Sequence, residues 1–129
     1  MKFLLVLSSL CIATLAFAAP KEVPKGSELR ATLFELARST VEREAGQTVK
    51  FTGSMKRLGD WAFFNGQIVN AAGNQIQVGP NRSADTAILW KIVDSEWQMI
   101  TSIVGMTDVA YASWPDTFGA PTDLVFPEG

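Results

Sequence analysis

The chain has 129 residues, 47% of them hydrophobic, and a formal net charge of −2 at pH 7. It contains one cysteine and no histidine, which excludes catalysis by a histidine base and the usual Cys/His zinc sites. The slightly acidic balance argues against nucleic acid as a partner, because binding to nucleic acid needs clustered Lys and Arg side chains.

The first 18 residues have the features of a secretory signal peptide. Lys2 precedes an apolar run over residues 3–17, and Ala16-Phe17-Ala18 is a small-x-small cleavage signal. The only cysteine, Cys11, lies inside this run. The sequence therefore predicts a periplasmic or secreted single domain of residues 19–129, without disulfides. No second apolar run has the roughly 20 residues of a membrane helix, so no membrane insertion is expected after cleavage.

An N-terminal helix is predicted after a Pro- and Gly-rich extended segment, residues 19–26. Ser27 is a suitable N-cap, and Gly46 is suited to the left-handed position that ends a helix. Between them, apolar and small residues recur at helical spacing. The predicted buried stripe consists of Leu29, Leu33, Phe34, Leu36, Ala37, Thr40 and Val41.

Beyond Gly46 the apolar period changes to two, which predicts two antiparallel hairpins. The first pairs residues 49–58 with residues 61–69, and the second pairs residues 87–93 with residues 97–104. The run Trp61-Ala62-Phe63-Phe64 predicts apolar neighbours on both faces of its strand. Residues 70–86 are predicted to form a long loop.

Together these elements predict an α+β fold in which one helix packs on a curved, four-stranded antiparallel sheet. The remainder, residues 105–129, is predicted to be an irregular tail that packs back on the domain. A partly open barrel made from the same strands is the alternative architecture.

Asp108 and Tyr111 are the candidate catalytic pair. A carboxylate in an apolar pocket can act as a general base while a tyrosine stabilises an oxyanion. The alternative is structural: the Asp108 side chain caps the following turn, and Tyr111 packs. Burial separates the two, because an Asp108 that faces a cavity lined by Trp61, Phe63 and Trp97 would favour an enzyme.

The second half of the chain indicates a binding surface. Residues 61–129 carry two basic and seven acidic side chains, and an acidic surface suits a basic partner. Trp114 is followed by proline in the irregular segment and is predicted to be exposed, where a tryptophan can anchor a partner. The predicted binding residues are Asp85, Asp108, Tyr111, Trp114 and Asp116.

Several segments resemble a group of small exported bacterial proteins of unassigned function. They are Asp60-Trp61-Ala62-Phe63, Trp97-Gln98-Met99-Ile100, Gly105-Met106-Thr107-Asp108-Val109, Trp114 and Gly119-Ala120-Pro121. More distantly, the helix-then-sheet layout resembles the cystatin-like and nuclear-transport-factor-like superfold, which includes steroid isomerases, dehydratases, protease inhibitors and binding modules. The chain departs from the enzymes of that superfold in having no histidine.

We therefore expect a non-catalytic binding module of the cell envelope, with a protein as partner and with no cofactor or metal. An inhibitor or immunity protein would be one concrete form. The alternative is a small-molecule pocket protein or isomerase-like enzyme that uses Asp108 and Tyr111. A structural or folding accessory of the envelope stays open, as do the partner's identity and the oligomeric state.

Overall fold

The computed structural model describes residues 19–80 and 82–126. They form an α+β fold with one long helix and an open antiparallel sheet of five strands. The predicted signal peptide, residues 1–18, lies outside the described residues, and Cys11 lies outside them too. Within the described part of the chain, no helix is long and apolar enough to cross a membrane.

The long helix, α1, spans Glu28–Ala45, as its end signals predict. The Ser27 side chain accepts a hydrogen bond from the backbone N–H of Arg30, and Gly46 adopts the left-handed conformation at φ 76°. Leu33, Phe34, Ala37 and Val41 are buried as predicted, whereas Leu36 is 42% exposed. Arg30 is buried in the same stripe.

Each strand pairs with its neighbour in the sequence, so the sheet is a simple meander in the order β1-β2-β3-β4-β5. Both predicted hairpins are confirmed, and β3 also pairs with β4. The two ends of the sheet do not meet, so the barrel alternative is wrong. The strands are β1 (Lys21–Glu22), β2 (Lys50–Leu58), β3 (Trp61–Val69), β4 (Asp85–Val93) and β5 (Glu96–Val104).

The prediction of four strands is wrong because the extended segment supplies a fifth. Lys21 and Glu22 pair with Arg57 and Lys56 of β2. The backbone N–H of Val23 then donates to the Met55 carbonyl at 2.8 Å. A two-residue strand is too short to show the alternation that identifies strands in a sequence.

The long loop is shorter than predicted, because β4 begins at Asp85 rather than at Ala87. Asp85 pairs with Gln67, and Thr86 pairs with Gly66. Thr86 is fully buried, and its hydroxyl donates to the Ala84 carbonyl at 3.1 Å. Polar residues in a sequence are typical of loops. Thr86 is nevertheless part of the sheet, because its hydroxyl finds a hydrogen-bond acceptor in the local backbone.

The sheet is covered on both faces. One face packs under α1, where Phe64 and Trp90 belong to the larger apolar cluster. The other face, with Phe63 and Leu89, is covered by the C-terminal segment, residues 105–126. The predicted two-sided apolar contacts of β3 are therefore confirmed. The C-terminal segment is not irregular throughout: it forms a 3-10 helix (Ala110–Ser113) and the short helices α2 (Trp114–Phe118) and α3 (Thr122–Val125).

Two glycines face each other where β2 and β3 approach closely. Gly53 pairs with Gly66, and a Cβ at Gly66 would lie 2.8 Å from the Gly53 Cα. We expect Gly66→Ala to lower the free energy of unfolding by about 1–3 kcal/mol, because backbone has to move to admit the methyl group. Urea denaturation measures the loss. Gly79→Ala is the matched control, since its Cβ would meet only the Arg82 side chain at 3.7 Å; equal losses in both variants would contradict the explanation.

Candidate functional site

Three of the five predicted binding residues line one open depression. Asp85, Asp108 and Tyr111 surround a volume of about 310 Å³ together with Asn65 and the loop that follows β5. The depression lies where the C-terminal segment leaves the sheet. The structure thus brings these three predicted binding residues together, and their role in binding stays a prediction.

Asp85, the first residue of β4, holds the loop that follows β5. Its backbone carbonyl accepts hydrogen bonds from the N–H groups of Gly105 and Met106, both at 2.9 Å. The exposed Asp85 carboxylate accepts a hydrogen bond from Gln67 Nε2 at 3.0 Å. The residue thus holds the start of the C-terminal segment through its backbone and presents its charge to solvent.

Tyr111 is held from two directions. Its hydroxyl accepts a hydrogen bond from Asn65 Nδ2 at 3.1 Å, and its ring meets the Phe63 ring at a centroid distance of 5.3 Å. These contacts leave the side chain half-buried and fix the position of the hydroxyl at the edge of the depression.

Asp108 is exposed, and its backbone carbonyl accepts the Ala110 N–H at 2.9 Å. The prediction that its side chain caps the next turn is wrong. The residue before the 3-10 helix is Val109, and no side chain caps that helix. The Asp108 carboxylate is therefore presented at the surface rather than used to stabilise the turn.

Trp114 is buried, so the prediction that it is exposed is wrong. Its side chain is 4% exposed and packs on the outer face of the sheet, with its ring 6.1 Å from that of Phe63. Proline after it does not force an irregular conformation, since proline is accommodated in the first turn of α2. Asp116 lies exposed in the same first turn but does not line the depression.

The residues of the alternative enzyme pocket do not converge on Asp108. Trp61 and Phe63 belong to the cluster under the C-terminal segment, whereas Trp97 packs with the cluster under α1. The sheet separates them. Within residues 19–80 and 82–126, no group of three acidic residues is placed to hold a metal ion.

The sequence interpretation missed Asn65 and Gln67, which hold the hydroxyl of Tyr111 and the carboxylate of Asp85. A signal for them exists. Both residues alternate with apolar residues on β3 and follow Trp61 and Phe63 on the same face. Polar side chains that continue an apolar strand face mark the point where its cover ends and a surface begins.

Comparison of the chain with protein-family models, with curated proteins and with solved structures found no match. The resemblance to small exported bacterial proteins, and to the cystatin-like layout, therefore stays a prediction.

Proposed function

We propose that this protein is an exported, non-catalytic module that binds a protein partner through its acidic face. The acidic face consists of the depression at Asp85, Asp108 and Tyr111 and the exposed surface of the C-terminal segment. The partner surface would be basic and partly apolar. An inhibitor or immunity-like role in the cell envelope is one form that such binding could take.

The observation that carries the proposal is the coincidence of one-signed charge with exposed apolar side chains. Residues 105–126 contain Asp108, Asp116 and Asp123 but no Lys or Arg. Three of the four large hydrophobic side chains found exposed among the described residues lie in the same segment: Val109 (57%), Phe118 (37%) and Phe126 (40%). Apolar anchors with a charged surround are typical of protein-binding surfaces.

The aromatic residues of this segment form a connected base for the face. Ring centroids lie 6.4 Å apart between Phe118 and Trp114, 6.2 Å between Trp114 and Tyr111, and 5.9 Å between Tyr111 and Phe126. The buried Trp114 therefore contacts the exposed Phe118 on one side and the half-buried Tyr111 on the other, and Tyr111 in turn contacts the exposed Phe126. A partner would meet a surface that is already ordered, which reduces the entropy lost on binding.

Charge neutralisation tests the proposal. The triple variant Asp85→Asn, Asp108→Asn and Asp116→Asn is expected to weaken binding about tenfold, because each exposed ion pair contributes about 0.2–1 kcal/mol. Affinity capture from envelope extract identifies the partner, and titration of that purified partner measures the affinity of each variant. The wild-type affinity should also fall as salt rises.

The matched control is Asp60→Asn, Asp94→Asn and Glu96→Gln. It removes the same number of negative charges at the β2–β3 and β4–β5 turns, outside the acidic face. It should retain the wild-type affinity. A partner that binds all three proteins equally would show that the acidic face is not the binding surface.

A further inference from the structure

A second cleft lies on the α1 side of the sheet, between α1 and β2. Its volume is about 310 Å³, and it is open to solvent. Every charged residue that lines it is basic: Arg30, Arg38 and Lys50. Its mouth includes Ser27, at the N-terminal end of an 18-residue helix, which is the end that carries the positive charge of the helix dipole.

Arg30 is a buried cation without a complete set of partners. The side chain is 7% exposed, and its Nη2 donates to the Gly53 carbonyl at 3.0 Å. Its Nη1 is buried and makes no hydrogen bond to any described residue. A buried donor that is left unpartnered costs stability, and a charged one costs more.

The electrostatic surroundings of Arg30 also leave its positive charge incompletely stabilised. Burial lowers the pKa of the Arg30 guanidinium from its ordinary value, and the negative charge of Glu22 opposes this effect. The Glu22 carboxylate itself accepts a hydrogen bond from the Ser54 hydroxyl at 3.5 Å. The cleft therefore holds a desolvated cation that an anion would stabilise.

Arg38 differs from the other two cations because its charge is already matched. It contacts Glu35 at 3.0 Å and Glu42 at 3.5 Å, and it donates to the Val49 carbonyl at 2.8 Å. Lys50 is exposed, and within residues 19–80 and 82–126 it forms no ion pair. Two positive charges, on Arg30 and Lys50, are thus available to a ligand.

Two stacked aromatic rings contact the two arginines that line the cleft. Phe34 and Phe51 are parallel, with centroids 4.2 Å apart. The Arg30 guanidinium carbon lies 5.0 Å from the Phe34 centroid, and that of Arg38 lies 5.3 Å from the Phe51 centroid. Such cation–π contacts orient the guanidinium groups before any ligand arrives.

We propose that this cleft binds a phosphate group, with Arg30 and Lys50 as its cationic ligands at the N-terminal end of α1. A guanidinium offers several N–H donors in a fixed geometry that matches the oxygens of phosphate. A phosphate monoester carries about −1.5 to −2 charges near pH 7, which matches the two available cations. The site is independent of the acidic face and of the proposed protein partner.

Titration with inorganic phosphate at constant ionic strength tests the proposal. The ¹⁵N signals of the arginine side chains and of the backbone at residues 26–31 should shift and saturate. Lys50→Gln should weaken the phosphate affinity about fivefold, and Arg30→Gln about tenfold or more, since hydrogen bonds to charged groups contribute about 1.5–3 kcal/mol. Arg43→Gln, in the last turn of the same helix and outside the cleft, is the matched control and should bind as the wild type does.

Because Arg30 is buried, its variant can fail to fold, and the exposed Lys50 variant then decides. A saturable shift that Lys50→Gln weakens supports the site. No saturable shift up to about 50 mM phosphate, equal affinity in all variants, or tighter binding of acetate than of phosphate would overturn it. Vesicles that contain phosphatidic acid distinguish a lipid phosphate, which retains the protein on the vesicles, from a soluble one, which does not.

Discussion

Replacing Trp90 with alanine is expected to lower the free energy of unfolding by about 4 kcal/mol, within the range found for buried aromatic residues. Trp90 heads the fully buried side chains of the described residues by volume. Its indole Nε1–H donates to the Leu33 carbonyl of α1 at 2.8 Å, and its ring meets Phe34 edge-on at 6.1 Å. The substitution leaves a cavity and removes the polar link between helix and sheet. Urea denaturation followed by circular dichroism measures the loss.

Trp90→Phe separates the two contributions. It keeps most of the ring but removes the N–H donor, so we expect a loss of about 1–2 kcal/mol from the hydrogen bond and from the smaller volume. Trp61→Ala is the matched control on the other face, where the ring is half-buried and a Lys91 ammonium lies 4.8 Å from its centroid. A Trp61 variant as unstable as Trp90→Ala would contradict the central position of Trp90 in the core.

The elements that local signals specify could be predicted from the sequence. Ser27 and Gly46 mark the ends of α1 through hydrogen bonding and backbone conformation that depend only on nearby residues. The hairpins follow from the period of two and from short turns. These features need no knowledge of what the strands pack against.

The elements that depend on distant partners could not be predicted. Lys21 and Glu22 are a strand only because the edge of β2 is available to them. Trp114 is buried only because the outer face of the sheet, at Phe63 and Leu89, has no other cover. In the sequence, an aromatic residue beside a proline after the last strand looks the same whether it is a surface anchor or the cover of a second core.

The helical period contains one further signal. Arg30 lies three and four residues before Leu33 and Phe34, at the start of the buried stripe, whereas Leu36 lies to one side of it and is exposed. Residue type favoured the burial of Leu36, whereas position on the helix favoured the burial of Arg30. A charged residue at a buried helical position is itself a reason to look for a partner or a ligand, and it identifies the cleft at α1.

On the face of the sheet that the C-terminal segment covers, Trp114→Ala is expected to lower the free energy of unfolding most. The side chain is 4% exposed and packs with Leu124 (0%) and Val125 (2%) in the cluster under the C-terminal segment. We expect a loss of about 3–4 kcal/mol. Because the segment is held mainly by this cluster, the loss should appear first as local opening. Compared with the wild type, hydrogen exchange in the variant should become faster over residues 114–126, and it should change less in β3.

Phe118→Ala is the matched control for this variant. Phe118 is 37% exposed and contacts Trp114 from outside, at a centroid distance of 6.4 Å. It should cost about 1–2 kcal/mol, less than Trp114→Ala, because Phe118 is more exposed than Trp114 and loses less buried apolar area. The pair also separates structure from binding at the acidic face. A partner lost with Trp114→Ala alone would report a detached segment, whereas one lost with Phe118→Ala in a fully folded protein would report direct contact. If Trp114→Ala kept wild-type stability and exchange, the second core described for this face would be wrong.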